Sequence, residues 1–402
     1  MPEHFSISDE ASLAAAVTEA VEQGLRLDVR GTGTRAGLGR AAQADRTLDV
    51  SGLSGISLYE PDELVLSARA GTPLAQIEAL LADASQMLAF EPMDTGPLFG
   101  LPAGGGTIGG MFACNLAGPR RLSHGAVRDH ALGIRAVSGR GEVFKSGGRV
   151  MKNVTGYDLP RMLAGSLGTL AVMSEITLKV LPLPPTEETL LVFGLDPAAS
   201  ARAMSAAMGS ACEVSGAASL PPDIAAARPE VPGDRAIVAL RLEGFEPSVK
   251  ARRAMLISVL APFGAVEVLE PPASRDFWRM VRDALPFAGS GLDAVWRLST
   301  RPTAGPALAR TLTDTLGAKT YCDWAGGLVW ALMPGEAAQG EAVRAALAPH
   351  GGHATLIRAT AAQRAGDVFQ PLESSLAALT RRVKASFDPR GVLNPGRMYA
   401  EV

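Results

Sequence analysis

Residues 101–121, LPAGGGTIGGMFACNLAGPRR, place six glycines in one short stretch, and two more glycine-rich turns flank it. Upstream is RGTGTR at residues 30–35, and downstream is AGSLGTLA at residues 164–171. Glycine has no Cβ, so such turns adopt positive φ and let the backbone approach a ligand closely. Successive N–H groups in these turns form concave anion sites. Three of them in the first half of a chain suggest a long ligand with a pyrophosphate and two ring systems, a dinucleotide.

The chain has 402 residues, too many for one hydrophobic core, so two domains are expected. Hydrophobic residues make up 47% and charged residues 20%, an ordinary globular composition. A net charge of −3 gives no support to nucleic-acid or anionic-membrane binding. Cys114, Cys212 and Cys322 are the three cysteines and form no close pair, which argues against a disulfide framework, an iron–sulfur cluster or a Cys-ligated zinc. No apolar run approaches the roughly 20 residues that span a bilayer, and no signal peptide is visible. These features describe a soluble protein of a reducing compartment.

The first segment reads as a helix capped by Ser6 or Ser8, with Leu13, Ala16, Val17 and Ala20 on one face, ended by Gly24. Strands follow at 25–30 and 47–50, then two short strands within 56–70 broken at Pro61 and Asp62. Thr72 caps a helix over 74–81 with Pro73 at its first position. Residues 131–137 and 141–145 form a hairpin, 159–163 a short helix, and 174–180 a strand with Ile176, Leu178 and Val180 on one face. Pro182, Pro184 and Pro185 mark a boundary. Beyond it, helices near 199–208, 248–261 and 340–347 alternate with strands near 236–242, 294–298 and 327–332, an α+β pattern with an antiparallel sheet. A further helix covers 367–384.

The turn at residues 31–36 satisfies G-x-G-x-x-A after a strand, and Asp49 ends the next strand. A Rossmann site needs a helix at the second glycine, and Gly37-Leu38-Gly39-Arg40 offers none. No G-K-[ST] follows any glycine, which excludes a Walker A loop. The second turn is more specific. Pro102 to Gly106 is a stiff entry, Thr107, Ile108, Gly109 and Gly110 suit a phosphate through backbone amides and one hydroxyl, and Ala113 and Asn115 to Gly118 are small where a flat ring must approach.

These residues resemble the vanillyl-alcohol oxidase superfamily, flavoproteins with a PCMH-type FAD domain. The block at 141–184, with GGRVMKN at 147–153 followed by TGYDL at 155–159, is similar to the E-subunit family of bacterial glycolate oxidase. GGHATL at 351–356 and the tail from Asp388-Pro389 to Asn394-Pro395-Gly396 fit it too. The resemblance implies a PCMH-type FAD-binding domain over 1–183 (subdomains about 1–55 and 56–183), an α+β cap over 184–365, and a C-terminal helix and tail over 366–402 returning to the FAD domain. It implies that Arg30, Gly31, Thr32, Gly33, Thr34 and Arg35 hold the pyrophosphate with Thr107–Gly110. Asn115 to Gly118 and Gly125, Arg128 and Asp129 would follow the ribityl chain and flavin ring. Gly168, Thr169, Ala171, Val172 and Ile176 would border the adenine, and Asn394 would close over the flavin.

The implied reaction is oxidation of glycolate, a small 2-hydroxy acid, with electrons passing to an iron–sulfur partner beside a homologous flavin subunit. A cytoplasmic location follows, peripheral to the inner membrane through partners. The FAD is expected to be non-covalent, because no histidine follows the first glycine turn. Such chemistry needs a cation for the carboxylate and a base for the hydroxyl. The five histidines, His4, His124, His130, His350 and His353, make no metal-ligand pattern, so no metal is expected. His124, Lys152, Asn153 and Tyr157 are the candidates near the flavin edge, with capping and packing as the plainer alternative. Arg279 and Arg297 are candidate carboxylate cations of the cap. Cys114 reads as a small buried residue, not a reactive thiol.

Overall fold

The computed structural model describes residues 4–41, 43–150, 156–226, 235–291 and 293–402. The chain divides into two compact units: Met1–Ala117, Gly125–Leu183 and Arg364–Val402 form one, Gly118–His124 and Pro184–Gln363 the other.

In the first unit, helix Glu10–Gln23 buries Leu13, Ala16, Val17 and Ala20. Its cap is Asp9, not Ser6 or Ser8: Asp9 Oδ1 accepts the Ser12 N–H at 2.7 Å, and Ser12 Oγ lies 3.4 Å from the Asp9 nitrogen. A carboxylate there satisfies an orphan donor and also faces the positive end of the helix dipole. Gly24 closes the helix at φ 67°. The helix packs on a parallel sheet in the order His4–Ser6, Arg46–Asp49, Leu27–Arg30.

A second sheet in this unit is antiparallel, ordered Ile56–Glu60, Val65–Arg69, Ala171–Lys179, Ala131–Ser138, Val143–Gly147. Ile176, Leu178 and Val180 enter its core with Ile77, Phe90 and Phe112. Helix Leu74–Asp83 begins without a side-chain cap. Thr72 lies one residue too early for that role, and its hydroxyl accepts the Gly55 N–H at 3.0 Å and donates to the Arg69 carbonyl at 2.7 Å. Helix Ile108–Cys114 was hidden in the sequence by its two glycines. It forms because Ile108, Met111 and Phe112 share a buried face and Thr107 Oγ1 caps the Gly110 N–H at 3.2 Å. The tail helix is Ser374–Phe387, later than the expected 367–384. Pro371 accounts for the loss of the stretch before it, since proline keeps the residue that precedes it out of helical conformation.

The second unit holds an eight-stranded antiparallel sheet ordered Val266–Leu269, Thr186–Phe193, Ile237–Gly244, Gly216–Leu220, Lys319–Asp323, Leu328–Leu332, Val295–Ser299, His353–Arg358. Helices Pro197–Met208 and Glu246–Leu260 pack Ala203, Met204, Val249 and Leu256 against Leu190, Val192, Val238 and Leu240. Residues 118–124 are fastened into this unit. Arg120 Nε reaches both Glu243 oxygens at 3.0 and 3.1 Å, and Trp324 Nε1 donates to the Gly118 carbonyl at 3.0 Å.

Candidate FAD cleft and a cationic sheet face

A cleft whose free space, open mouth included, is about 700 Å3 lies in the first unit. Its walls come from both sheets and the tail. Arg30, Gly31, Thr32, Gly33, Thr34 and Arg35 line it, with Thr107, Gly109, Gly110, Ala113, Gly168, Ala171, Val172 and Asn394. Val29, Ala36, Val50, Ala70, Cys114, Leu167, Met173 and Arg397 complete the lining and were not among the residues expected from sequence.

The first glycine turn carries the polar capacity of the cleft. Among the described residues, no acceptor receives the N–H groups of residues 31 to 35. Five consecutive free amides are a ready anion cradle. Gly33 sits at φ 80°, which a side chain would strain. The second turn behaves differently from expectation. Ile108 N–H donates to the Thr72 carbonyl at 3.0 Å, Gly109 N–H to the Ala70 carbonyl at 2.8 Å, and Gly110 N–H to Thr107 Oγ1 at 3.2 Å. Those three amides are already engaged within the protein. Glycine is needed for close packing at Gly109, where a Cβ would stand 2.8 Å from the Ala70 carbonyl oxygen, while Gly106 and Gly31 bring the turns against the Arg35 guanidinium and Thr107 Oγ1.

Arg35 is buried, its NH2 nitrogen donating to the Met93 carbonyl at 3.1 Å. Burial pulls its guanidinium below the usual range, against the opposing influence of Cys114 and Asp94. Burial raises the Cys114 thiol, with Arg35 and Arg397 pulling the other way, so the thiol stays protonated at neutral pH. Among the described residues no acidic side chain lines the cleft.

Asn394 lines the cleft by fixing its walls. Its Oδ1 accepts the Val29 N–H at 2.8 Å and its Nδ2 donates to the Leu167 carbonyl at 2.7 Å. The remaining expected contacts lie elsewhere. Ile108 and Ile176 are core residues, and Thr169 is buried with its hydroxyl on the Ser166 carbonyl at 2.8 Å. Pro102 is exposed. Asn115 caps helix Ile108–Cys114 at φ 51° and accepts the Arg128 N–H at 3.3 Å. Asp129 Oδ2 accepts the Ala126 N–H at 2.9 Å beside Gly125. Gly118 and His124 belong to the second unit, where His124 Nδ1 lies 2.7 Å from Ser123 Oγ. Tyr157 is 89% exposed. Lys152 and Asn153 lie outside the described residues.

In the second unit, strand register sets Tyr321, Trp330, Arg297 and Thr355 side by side across four strands. The Arg297 guanidinium lies 4.6 Å from the Trp324 ring centroid and 5.9 Å from that of Trp330, and Arg121 lies 4.8 Å from Trp324. Among the described residues Arg297 has no hydrogen-bond acceptor and no ion-pair partner. Burial and the neighbouring Arg121 lower its pKa to about 10, so it remains charged at neutral pH. Partial desolvation of the ring and the nearby Arg297 and Arg121 cations lower His353 below its usual value, which leaves that imidazole neutral at pH 7. Arg279, the other candidate cation, is held by Asp276 at 2.7 Å. Among the described residues no group of three histidine, cysteine, aspartate or glutamate side chains converges on a metal position, and no helix is long and apolar enough to cross a membrane.

Comparison with known proteins gives these features a context. The family described as FAD binding domain matches residues 5–147. Glycolate oxidase subunit GlcE of Escherichia coli (strain K12) is 38% identical over 398 residues, covering 97% of each chain. Glycolate oxidase subunit GlcD of Bacillus subtilis (strain 168) is 42% identical over 85 residues, 21% of this chain and 18% of its own. Among solved structures, p-cresol methylhydroxylase with substrate bound aligns at a TM-score of 0.73 and 14% identity over 98% of this chain and 88% of its own, a likeness of fold alone.

Proposed function

Because the chain belongs to the family of the glycolate oxidase E subunit, we propose that it serves as one flavin-bearing subunit of a glycolate-oxidising complex and passes electrons to an iron–sulfur partner. It is a PCMH-type flavoprotein subunit of the hydroxy-acid oxidoreductases, and its cofactor is FAD. The residues present fit that group: five unpartnered amides at residues 31–35 and three arginines lining a cleft with no carboxylate among the described residues. That cleft is the observation that carries the reading. Non-covalent attachment is part of it, since no histidine stands in or beside the first glycine turn. Bound FAD would supply a two-electron acceptor for the α-hydrogen of a 2-hydroxy acid. The chain's own part is to hold the dinucleotide's phosphates on residues 31–35 and to exclude water with Val29, Val50, Leu167 and Val172.

Arg297, which lies over Trp324 and has no hydrogen-bond acceptor or ion-pair partner among the described residues, favours a second reading, in which this chain itself binds a hydroxy-acid carboxylate and turns over alone. The visible spectrum of the purified chain, before and after glycolate without air, separates the two. A flavin band that persists until the sister subunits are added supports the electron-transfer role. Bleaching by glycolate alone favours the second reading, and a colourless chain that takes up no added FAD sinks both.

A further inference from the structure

Arg397 lies in the tail, 362 residues from Arg35, yet its NH2 nitrogen donates to the Arg35 carbonyl at 3.1 Å. Its NH1 nitrogen pairs with Asp28 at 3.1 Å. Both arginines are buried at 8% exposure, both line the cleft, and in each the Nε is buried with no hydrogen-bond partner. Asp28, which is also the partner of Arg30, the third arginine of the cleft, and Asp94, which acts on Arg35, offset only part of this positive charge. A fourth guanidinium, Arg364, is half-buried near Arg397 with its NH1 nitrogen on the Gly39 carbonyl at 3.1 Å, and its buried Nε is likewise unpartnered.

Burying guanidinium donors without acceptors is costly unless an anion completes the set. Residues 31 to 35, whose backbone amides have no acceptor among the described residues, line the same cleft. The chain as a whole is slightly acidic, with a net charge of −3, so this local excess of cations is not a general property of the protein. A diphosphate matches it in charge and in the number of acceptor oxygens.

We propose that Arg397, seated beside Arg35, is a ligand of the cofactor's pyrophosphate, so that docking of the tail and binding of FAD are one linked event. This rests on the assignment of FAD to the cleft. Residues 392–394 are tied to strand Leu27–Arg30 through the Leu27 N–H on the Val392 carbonyl at 2.7 Å and the Asn394 N–H on the Leu27 carbonyl at 2.9 Å. A ligand that contacts only the docked arrangement must stabilise it. The pyrophosphate is then held from two sides, by the first glycine turn and by the tail.

The test titrates the full chain with FAD, ADP and adenosine and follows hydrogen exchange in residues 391–402 with and without ADP. Arg397→Met should weaken FAD and ADP by a similar factor, about 10- to 100-fold, as expected for a lost charge-assisted contact, and leave adenosine unchanged. Arg397→Lys keeps the cation and should fall between. ADP should slow exchange in residues 391–402 of the wild type. If Arg397→Met fails to fold, the lysine variant and the exchange measurement carry the test. Equal ADP affinity across folded variants, an equal loss for adenosine, or exchange in the tail that ADP leaves untouched overturns the proposal. Wild type that binds FAD while Arg397→Met binds it equally well overturns the proposal alone; wild type that binds neither FAD nor ADP overturns the cofactor assignment with it.

Discussion

Lys384 and Asp388 form a buried ion pair one helical turn apart, Nζ to Oδ2 at 2.7 Å, with side-chain exposures of 7% and 0%. The ammonium also donates to the Thr169 carbonyl at 2.6 Å and the Leu393 carbonyl at 2.9 Å, so all three of its donors are satisfied. Asp388 in turn accepts the N–H groups of Val392 at 3.0 Å and Leu393 at 2.8 Å. Burial draws the ammonium below its usual pKa, and Asp388 opposes that shift. The pair fixes the turn from which the tail departs toward the cleft.

Lys384→Met leaves a buried carboxylate without its cation and should cost about 3 kcal/mol in urea unfolding. Combining it with Asp388→Asn should cost less than the sum of the single changes, because the second substitution removes the uncompensated charge. An additive result would mean the two side chains act independently.

Asn394 holds two cleft walls with one amide. Asn394→Ala strands the Val29 N–H and the Leu167 carbonyl and should destabilise the fold by about 2–4 kcal/mol. Gly168→Ala acts on the same contact, since its Cβ would lie 2.8 Å from Asn394 Nδ2 and its φ is 71°. The double variant should therefore lose less than the two single losses together, and thermal unfolding of all four proteins measures it.

Glu10 links the first helix to the antiparallel sheet by accepting from Arg135 Nε at 3.1 Å and from Ser174 Oγ at 2.5 Å. The Arg135 hydrogen bond holds its carboxyl below the ordinary 4.5, with burial opposing. A carboxylate with a depressed folded-state pKa contributes fully above its unfolded value and loses that contribution as pH falls through the folded one. The Tm difference between wild type and Glu10→Gln should be constant above about pH 5 and shrink below 4.5. A difference that does not change with pH would remove the carboxylate from this account.

His353 should titrate below 6.5 by NMR, since partial desolvation, Arg297 and Arg121 all favour the neutral ring. Replacing Arg297 with Met removes one cation and should move the midpoint upward. No movement would mean that desolvation alone sets it.

The first glycine turn was legible because it needs only local information: a strand, two glycines and no following helix over residues 25–40. Asn394 was legible through a motif. Arg397, three residues further, was not, because its role depends on the tail meeting Arg35 and Asp28 across most of the chain. The second glycine turn shows the opposite failure. Its amides looked free in the sequence, but Ala70 and Thr72, more than thirty residues away, present carbonyls to Gly109 and Ile108. The helix cap went to Asp9 over Ser6 and Ser8 because the side chain that reaches Ser12 depends on where the first turn starts. In the second unit, strands Thr186–Phe193 and Gly216–Leu220 escaped notice since full burial removes the alternation that marks a half-exposed strand.

Strand Leu27–Arg30 has Arg46–Asp49 on one side, and on the other, among the described residues, it meets residues 392–394 of the tail. During synthesis that strand exists long before its second neighbour has been made. Until then it is an open sheet edge, available to any other extended segment, and closing it requires a loop spanning almost the entire polypeptide. Newly made chains therefore carry an unpaired sheet edge at the strand that later leads into the cofactor turn.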